Sequence, residues 1–355
     1  MAALLERLGL RLAIIQAPMA GVSTPELAAA VCNAGGLGSI ALGASTPAAA
    51  RAMIADLRAR TDRPFNLNVF VHSPPKPDPA REAAWLAALA PHFQAFEATP
   101  PSSLREIYSS FQHDDAMLEL LIETKPAVIS FHFGLPSADR IAALKQTGAL
   151  LLASVTNLEE ARAAKQAGID ALVAQGIEAG GHRGIFDPNG PDDSLSTLVL
   201  TRLLLRELDL PVIAAGGIMD GYAIAAALKL GAVAAQLGTA FIACPEASAA
   251  PAHRATLLSR DGARTVMTRA ISGRPARCLV NRFTAFGEAH PELLPPDYPL
   301  AYDAGKALHA AASAKGEYGY GAYWAGQGAS LARALPASQL MQLLENELHA
   351  ALASS

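Results

Sequence analysis

Eight short apolar runs, centred near residues 14, 40, 68, 129, 151, 173, 213 and 235, constrain this chain's fold more than any other feature. Most are separated by a helical pattern, and each is too short to be a helix itself. Strands alternating with helices specify a parallel sheet, because a parallel crossover needs a dozen or more residues. Eight such units are expected to close as a (β/α)8 TIM barrel. The alternative, a doubly wound open sheet, lacks its diagnostic strand–GxGxxG–helix opening here. Ala17-Pro18-Met19 stands at that position instead.

Punctuation supports the same division. Thr24-Pro25 and Thr46-Pro47 are helix starts, with a hydroxyl cap followed by proline at the first helical position. After Asn66–Val71 the rhythm breaks. His72–Pro79 holds four prolines, and an excursion of about 72–125, carrying Tyr108, is longer than one crossover needs. Beyond Thr239 the composition shifts: arginine-rich to Arg282, proline-rich over Pro291–Pro299, and a glycine/aromatic linker over Gly316–Gly328. The expected organisation is a barrel over 1–244 and a lid or second domain over 245–325. A segment 326–355 follows, its amphipathic helix, Leu331–Leu352, packing back on the barrel.

Composition excludes several function classes. With 51% hydrophobic residues in 355, there is core enough for one large domain with an insertion or for two domains. A net charge of −4 gives no general affinity for nucleic acid or anionic membranes. Glu6, Arg7 and Arg11 interrupt the N-terminal apolar run, and the apolar stretch 211–231 is broken by Gly216, Gly217, Asp220 and Gly221. A soluble cytoplasmic protein, monomer or homodimer, is expected. Cys32, Cys244 and Cys278 form no ligand pattern and read as reduced core residues, and no acidic cluster suggests a metal.

The chemistry is expected at the C-terminal ends of the strands. Ala171–Gln175 leads into a glycine-rich turn presenting Glu178, Gly180, Gly181 and His182. Gly216-Gly217 follows the seventh strand, and Gln236-Leu237 leads into Gly238-Thr239 after the eighth. Bare amides at two consecutive turns suit a phosphate. Ala17-Pro18-Met19, Asn68, Ser130, His132, Ser154 and Gln175 offer the amides, hydroxyls and apolar contact that a flavin takes. No lysine follows a strand end, and no GxSxG elbow occurs, so by elimination the chemistry is a cofactor's own. Tyr298, Tyr302 and Lys306 recur every four residues, hence on one face if helical.

Taken together, QAPMAGVSTPELAAAVCNAGGLG, NLNVF, FHFG, AQGIEAGGHRG, PVIAAGGI, QLGTAF and PPDYPLAYDAGK resemble the nitronate monooxygenases of the bacterial class I type. The resemblance implies an FMN enzyme that oxidises alkyl nitronates, propionate 3-nitronate among them, with dioxygen to carbonyl compounds plus nitrite or nitrate. It implies FMN bound by Asn68, Gln175, Gly180, Gly181, Gly216, Gly217 and Gln236–Thr239, with Ala17–Met19 near the flavin. It puts His182 at the place of the catalytic base, with Tyr108, His132, Tyr298, Tyr302 and Lys306 as matching active-site positions. His253 stands where an aromatic phenol is expected. The rivals are an NAD(P)H-dependent flavin reductase on the same barrel and a flavin-binding barrel without turnover.

Overall fold

The computed structural model describes residues 2–259 and 264–353. Residues 260–263 of the expected lid, and Met1, Ser354 and Ser355 of the flanking segments, lie outside the described residues. The strands are β1 (Ile14–Gln16), β2 (Ser39–Ala41), β3 (Asn66–Phe70), β4 (Val128–His132), β5 (Leu150–Val155), β6 (Ala171–Gln175), β7 (Gly181–His182), β8 (Val212–Ala215), β9 (Ala234–Leu237), β10 (Thr265–Thr268) and β11 (Ala276–Leu279). Eight of them form one parallel sheet in the order β1-β9-β8-β6-β5-β4-β3-β2. A bridge from Ile15 to Leu37 closes it, with Leu37 N–H donating to Ile14 O at 3.0 Å and Gln16 N–H to Leu37 O at 2.9 Å. The fold is the TIM barrel, and all eight expected strands are present.

Side-chain caps start the barrel helices. Thr24 accepts from Leu27 N–H and begins Pro25–Asn33; Thr46, Ser137, Asn157, Ser196 and Asp220 do the same for Pro47–Arg60, Ala138–Gln146, Leu158–Gln166, Thr197–Glu207 and Gly221–Lys229. The helix after β9, Thr239–Ile242, is too short to cover its side of the sheet. The C-terminal helix Ala337–Ala353 supplies the cover instead, packing between Gly221–Lys229 and Pro25–Asn33. It begins six residues later than the periodicity predicts, because Ala329–Leu331 is a single tight turn and Pro336 precedes the helix.

Strand alternation then sets the floor of the site. Val128, Leu150, Leu152, Val173, Ile213 and Ala234 point inward and pack on Leu4 of the N-terminal helix Ala2–Arg7 and on Leu8 just after it, which plug the barrel bottom. Their neighbours, such as Ile129, Leu151 and Leu172, point outward to the helices. Two residues on, the inward positions become polar, and Asn68, Ser130, Ser154, Gln175 and Gln236 face the open top.

The lid has its own core, and part of it comes from an unexpected place. Trp85, Leu89 and Phe93 of helix Pro79–Gln94, in the excursion, pack with Phe283, Phe286, Leu308 and Tyr320. The excursion is therefore a wall of the lid. Lid strands β10 and β11 pair antiparallel, and β11 pairs in turn with β7, with Ala276 opposite His182 and Arg277 opposite Gly181. The glycine/aromatic stretch is no linker. Trp324 bridges Cys278, Leu279 N–H donates to Tyr323 O at 2.8 Å, and Ala325 N–H to Arg277 O at 3.3 Å.

Tight helix–strand packing makes one glycine testable. A Cβ on Gly38 would lie 2.0 Å from the Ala28 carbonyl oxygen, which is main chain and has no room to retreat. Gly38→Ala should cost about 1–3 kcal/mol, the scale of overpacking, and lower the thermal midpoint by several degrees. An unchanged midpoint would show that the helix 25–33 shifts freely.

Candidate active site

Where the strands end, the barrel opens into a cavity of about 740 Å³ roofed by the lid. Ala17, Pro18, Met19, Asn68, Gln175, Gly180, Gly181, Gly216, Gly217, Gln236, Gly238 and Thr239 line it, as do Tyr108, His132, His182, Tyr298, Tyr302 and Lys306. One expected residue does not. Leu237 is adjacent to inward-facing Gln236, so alternation turns its side chain outward into the core beneath the helices. It contributes only its carbonyl, which accepts from Ala17 N–H at 2.8 Å.

The loop carrying His182 is held from three sides. Gln175 clamps its backbone, with Nε2 donating to His182 O at 3.0 Å and Oε1 accepting from Gly184 N–H at 2.7 Å. His132 Nε2 donates to the same carbonyl at 3.2 Å; a carbonyl only accepts, so the His132 lone pair is on Nδ1. Arg183, buried, forms a bidentate pair with Asp192 at 2.8 and 2.9 Å and donates to Gln175 O. On the lid side the loop is held by β11, paired with β7.

The His182 ring packs against Phe133, Tyr298 and Trp324, with centroids 5.6, 5.3 and 5.0 Å away. Its Nε2 lies 2.9 Å from Ser272 Oγ, which is also 3.3 Å from the Arg274 carbonyl. Satisfying both contacts puts the hydroxyl proton on the carbonyl and the imidazole proton on Nε2, leaving Nδ1 basic. Arg274 is buried, donates to Ile185 O, and stacks over the Phe133 ring at 4.3 Å.

Burial in this recess, then the Arg274 charge and then His132 and His72 hold His182 well below the usual imidazole range. Burial pushes His132 to about 4, Arg274 and Arg183 adding to the effect against its own hydrogen bond. His72, edge-on to Tyr298 at 5.0 Å, also lies at about 4 through burial and Arg274. All three are neutral at pH 7. Burial likewise raises the Tyr298 and Tyr302 hydroxyls well above their ordinary value, so both remain un-ionised donors.

The tyrosines and lysine are arranged differently from the four-residue spacing. Helix Leu300–Ala314 carries Tyr302 and Lys306, whereas Tyr298 precedes it. Lys306 is exposed, its ammonium lying over the Tyr108 ring at 5.6 Å and the Tyr302 ring at 5.2 Å. It stands at the rim of the cavity.

At the opposite end three glycine turns meet. Gly216 and Gly217 have φ of +127° and +70°, conformations that side chains disfavour. Gly238-Thr239 lies alongside, and Thr239 Oγ1 accepts from Gly326 N–H at 2.9 Å. Gly326 and Gly328 form the third turn. A Cβ on Gly180 would sit 2.5 Å from the main chain at Ala325 and Gly326, so this glycine lets the two segments meet. The sequence pointed to two of these turns; the third, with Trp324, Ser272, Arg274 and Phe133, went unrecognised because the lid brings it in from far along the chain. His253 is buried and stacks on Tyr323 at 5.0 Å, both in the cavity wall.

The sequence profile of the nitronate monooxygenase family matches residues 2–347. The chain belongs to the nitronate monooxygenase family. It is 62% identical to a nitronate monooxygenase from Paraburkholderia phytofirmans over 98% of this chain and 94% of that one. It is 54% identical to a nitronate monooxygenase from Pseudomonas aeruginosa over 96% of this chain and 97% of that one. Its structure is similar to that of a nitroalkane oxidase from Streptomyces ansochromogenes, with a TM-score of 0.89, 42% identity, and coverage of 97% and 98% of the two chains. Membership of this family makes the protein an oxidoreductase acting on nitronates. Among the described residues no helix is long and apolar enough to cross a membrane, and no group of ligating side chains is placed to hold a metal ion.

The buried neutral histidines give stability a pH dependence of known sign. His72, His132 and His253 lie at about 4 in the folded chain and near 6.5 when unfolded. Between those values the unfolded chain binds protons that the folded one excludes. Their contribution is therefore fully present above pH ~6.5 and is lost as pH falls toward ~4, at roughly 1.4 kcal/mol per pH unit for each group. Urea unfolding should show a midpoint that is level between pH 7 and 8 and falls steeply from pH 6 to 5. A level midpoint through pH 5 would mean that these rings open to water in the native state.

Proposed function

We propose that the protein is an FMN-dependent nitronate monooxygenase that oxidises alkyl nitronates, propionate 3-nitronate among them, with dioxygen. The observation that carries this reading is the division of one cavity into two ends. Three glycine turns with bare amides close one end, and neutral imidazoles and un-ionised phenols, with the cations Arg274 and Lys306 beside them, surround the other. The first end suits one phosphate group and the inward amides Asn68 and Gln236 suit a flavin ring edge, whereas among the described residues no second nucleotide cradle follows. In this reading Ala17–Met19, Asn68, Gln175, Gly180, Gly181, Gly216, Gly217, Gln236, Gly238 and Thr239 hold FMN. Leu237 contributes main chain alone.

When bound, the flavin supplies one-electron chemistry between the nitronate and dioxygen. The chain's own residues bind and orient the anion. The His182 ring, the Tyr298 and Tyr302 hydroxyls and Tyr108 border the space, and Arg274 and Lys306 favour negative charge in it. Two nitronates and one dioxygen balance as two carbonyl compounds and two nitrites; one of each balances as a carbonyl compound and nitrate.

A second reading, oxidation of neutral nitroalkanes, is favoured by the similarity to the Streptomyces structure. It requires a base for the α-proton, and His182 Nδ1 is the group in place. An imidazole this far below its ordinary range is a weak base, which favours the preformed nitronate.

Two experiments test these assignments. The protein should purify yellow with about one FMN per chain and consume oxygen with alkyl nitronates. FAD, a protein that FMN leaves colourless, or prompt anaerobic bleaching by NADH would overturn this reading. His182→Asn should lower turnover of neutral nitroalkanes by about two orders of magnitude, with much smaller losses on nitronates. Equal losses on both would remove proton abstraction as its role.

A further inference from the structure

A second cavity, of about 400 Å³, opens on the surface beside the first. Arg105, Ile107, Tyr108, Asp303, Lys306 and Ala307 line it, and Tyr108 and Lys306 also line the large cavity. These two side chains are thus the partition between the cleft and the interior. The partition is soft. Lys306 is exposed and rests on the Tyr108 and Tyr302 rings by cation–π contact, with a flexible stem behind it. Tyr108 is only half-buried and meets Tyr302 edge-on at 5.9 Å.

The cleft is cationic by a margin of one charge. Arg105 has 79% of its side chain exposed, and its guanidinium is 3.6 Å from Asp303. Asp303 is held independently by the Arg105 main-chain N–H at 3.0 Å, which fastens segment 105–108 to helix Leu300–Ala314. One carboxylate therefore faces two cations, and the arginine can turn from it toward a ligand without releasing the loop. Asp303 also bars the helix side of the cleft to a second anion.

We propose that this cleft is the capture site for anionic substrate, where Arg105 and Lys306 take the carboxylate of a carboxylated nitronate before its reacting end passes Tyr108. The assignment rests on the nitronate reading of the large cavity. It makes Arg105 a specificity-determining residue that never touches the reacting atoms. Exposed cations at a concave mouth act on encounter, so the effect belongs to kcat/KM at low salt and fades as the screening length shrinks.

The test compares the flavin-loaded wild type with Arg105→Ala and Arg105→Lys, using propionate 3-nitronate and ethyl nitronate at two ionic strengths. Arg105→Ala should lower kcat/KM for propionate 3-nitronate about fivefold or more at low salt, leave kcat unchanged, and approach the wild type at about 0.5 M salt. Ethyl nitronate should change less than twofold, and Arg105→Lys should restore most of the loss. Should Arg105→Ala fold poorly, judged by its thermal midpoint, Arg105→Gln takes its place. Unchanged kcat/KM, equal losses on both nitronates, or a loss that salt does not relieve would overturn the capture site. Failure of the wild type itself to oxidise either nitronate would overturn the parent reading instead.

Discussion

The site depends on a pairing between two distant pieces of chain, β7 of the barrel and β11 of the lid. β7 is only two residues long and follows a strand end where the chain would otherwise be a free loop. Pairing with Ala276 and Arg277 gives it a backbone partner, and the Gln175 amide fixes it from below. Each hold alone is a hydrogen bond or two, worth about 1 kcal/mol apiece net. Acting on consecutive residues they leave the His182 ring with little freedom. The lid is consequently part of the active site's scaffold, and a barrel stripped of it would lose the orientation of the imidazole as well as the roof.

That pairing also delivers the electrostatics. The turn Ser272–Arg274 precedes β11, so fixing β11 beside β7 brings a serine hydroxyl to His182 and a buried guanidinium to the Phe133 ring. The cation then lies near three imidazoles at once, His72, His132 and His182. A positive charge in a dry recess disfavours protonation of every one of them and favours an anion in the space they enclose. The Arg274 charge thus favours an anion in the recess and adds to burial, the larger cause, in weakening His182 as a base. Lys306, by contrast, stands at the rim in water, where its charge is screened and its reach matters more than its strength.

The barrel was legible because its signals are local. The apolar run leading into Gln175 and the Thr-Pro starts at residues 24 and 46 need no knowledge of the rest of the chain. The polar residues that end up facing the cavity were readable for the same reason: an inward strand position stays inward. Leu237 shows the limit of reading a turn as a block, since it lies one residue from Gln236 and points the opposite way. The lid was read as composition alone. Its strands β10 and β11 are four residues each and hold together by pairing with a barrel loop about ninety positions away, which no local pattern records.

By itself, then, the sequence determined the strand count, the closure as a barrel, and the two glycine turns after the seventh and eighth strands, because backbone geometry and side-chain period act over a few residues. The tertiary structure alone decided that the excursion helix Pro79–Gln94 joins the lid core, that Gly326 and Gly328 line the cavity beside the other glycine turns, and that Arg274 lies behind Phe133. It also decided the protonation of the histidines. Their ionisation answers to burial and to charges carried in from distant segments, and those are properties of a packed interior that a linear chain does not possess.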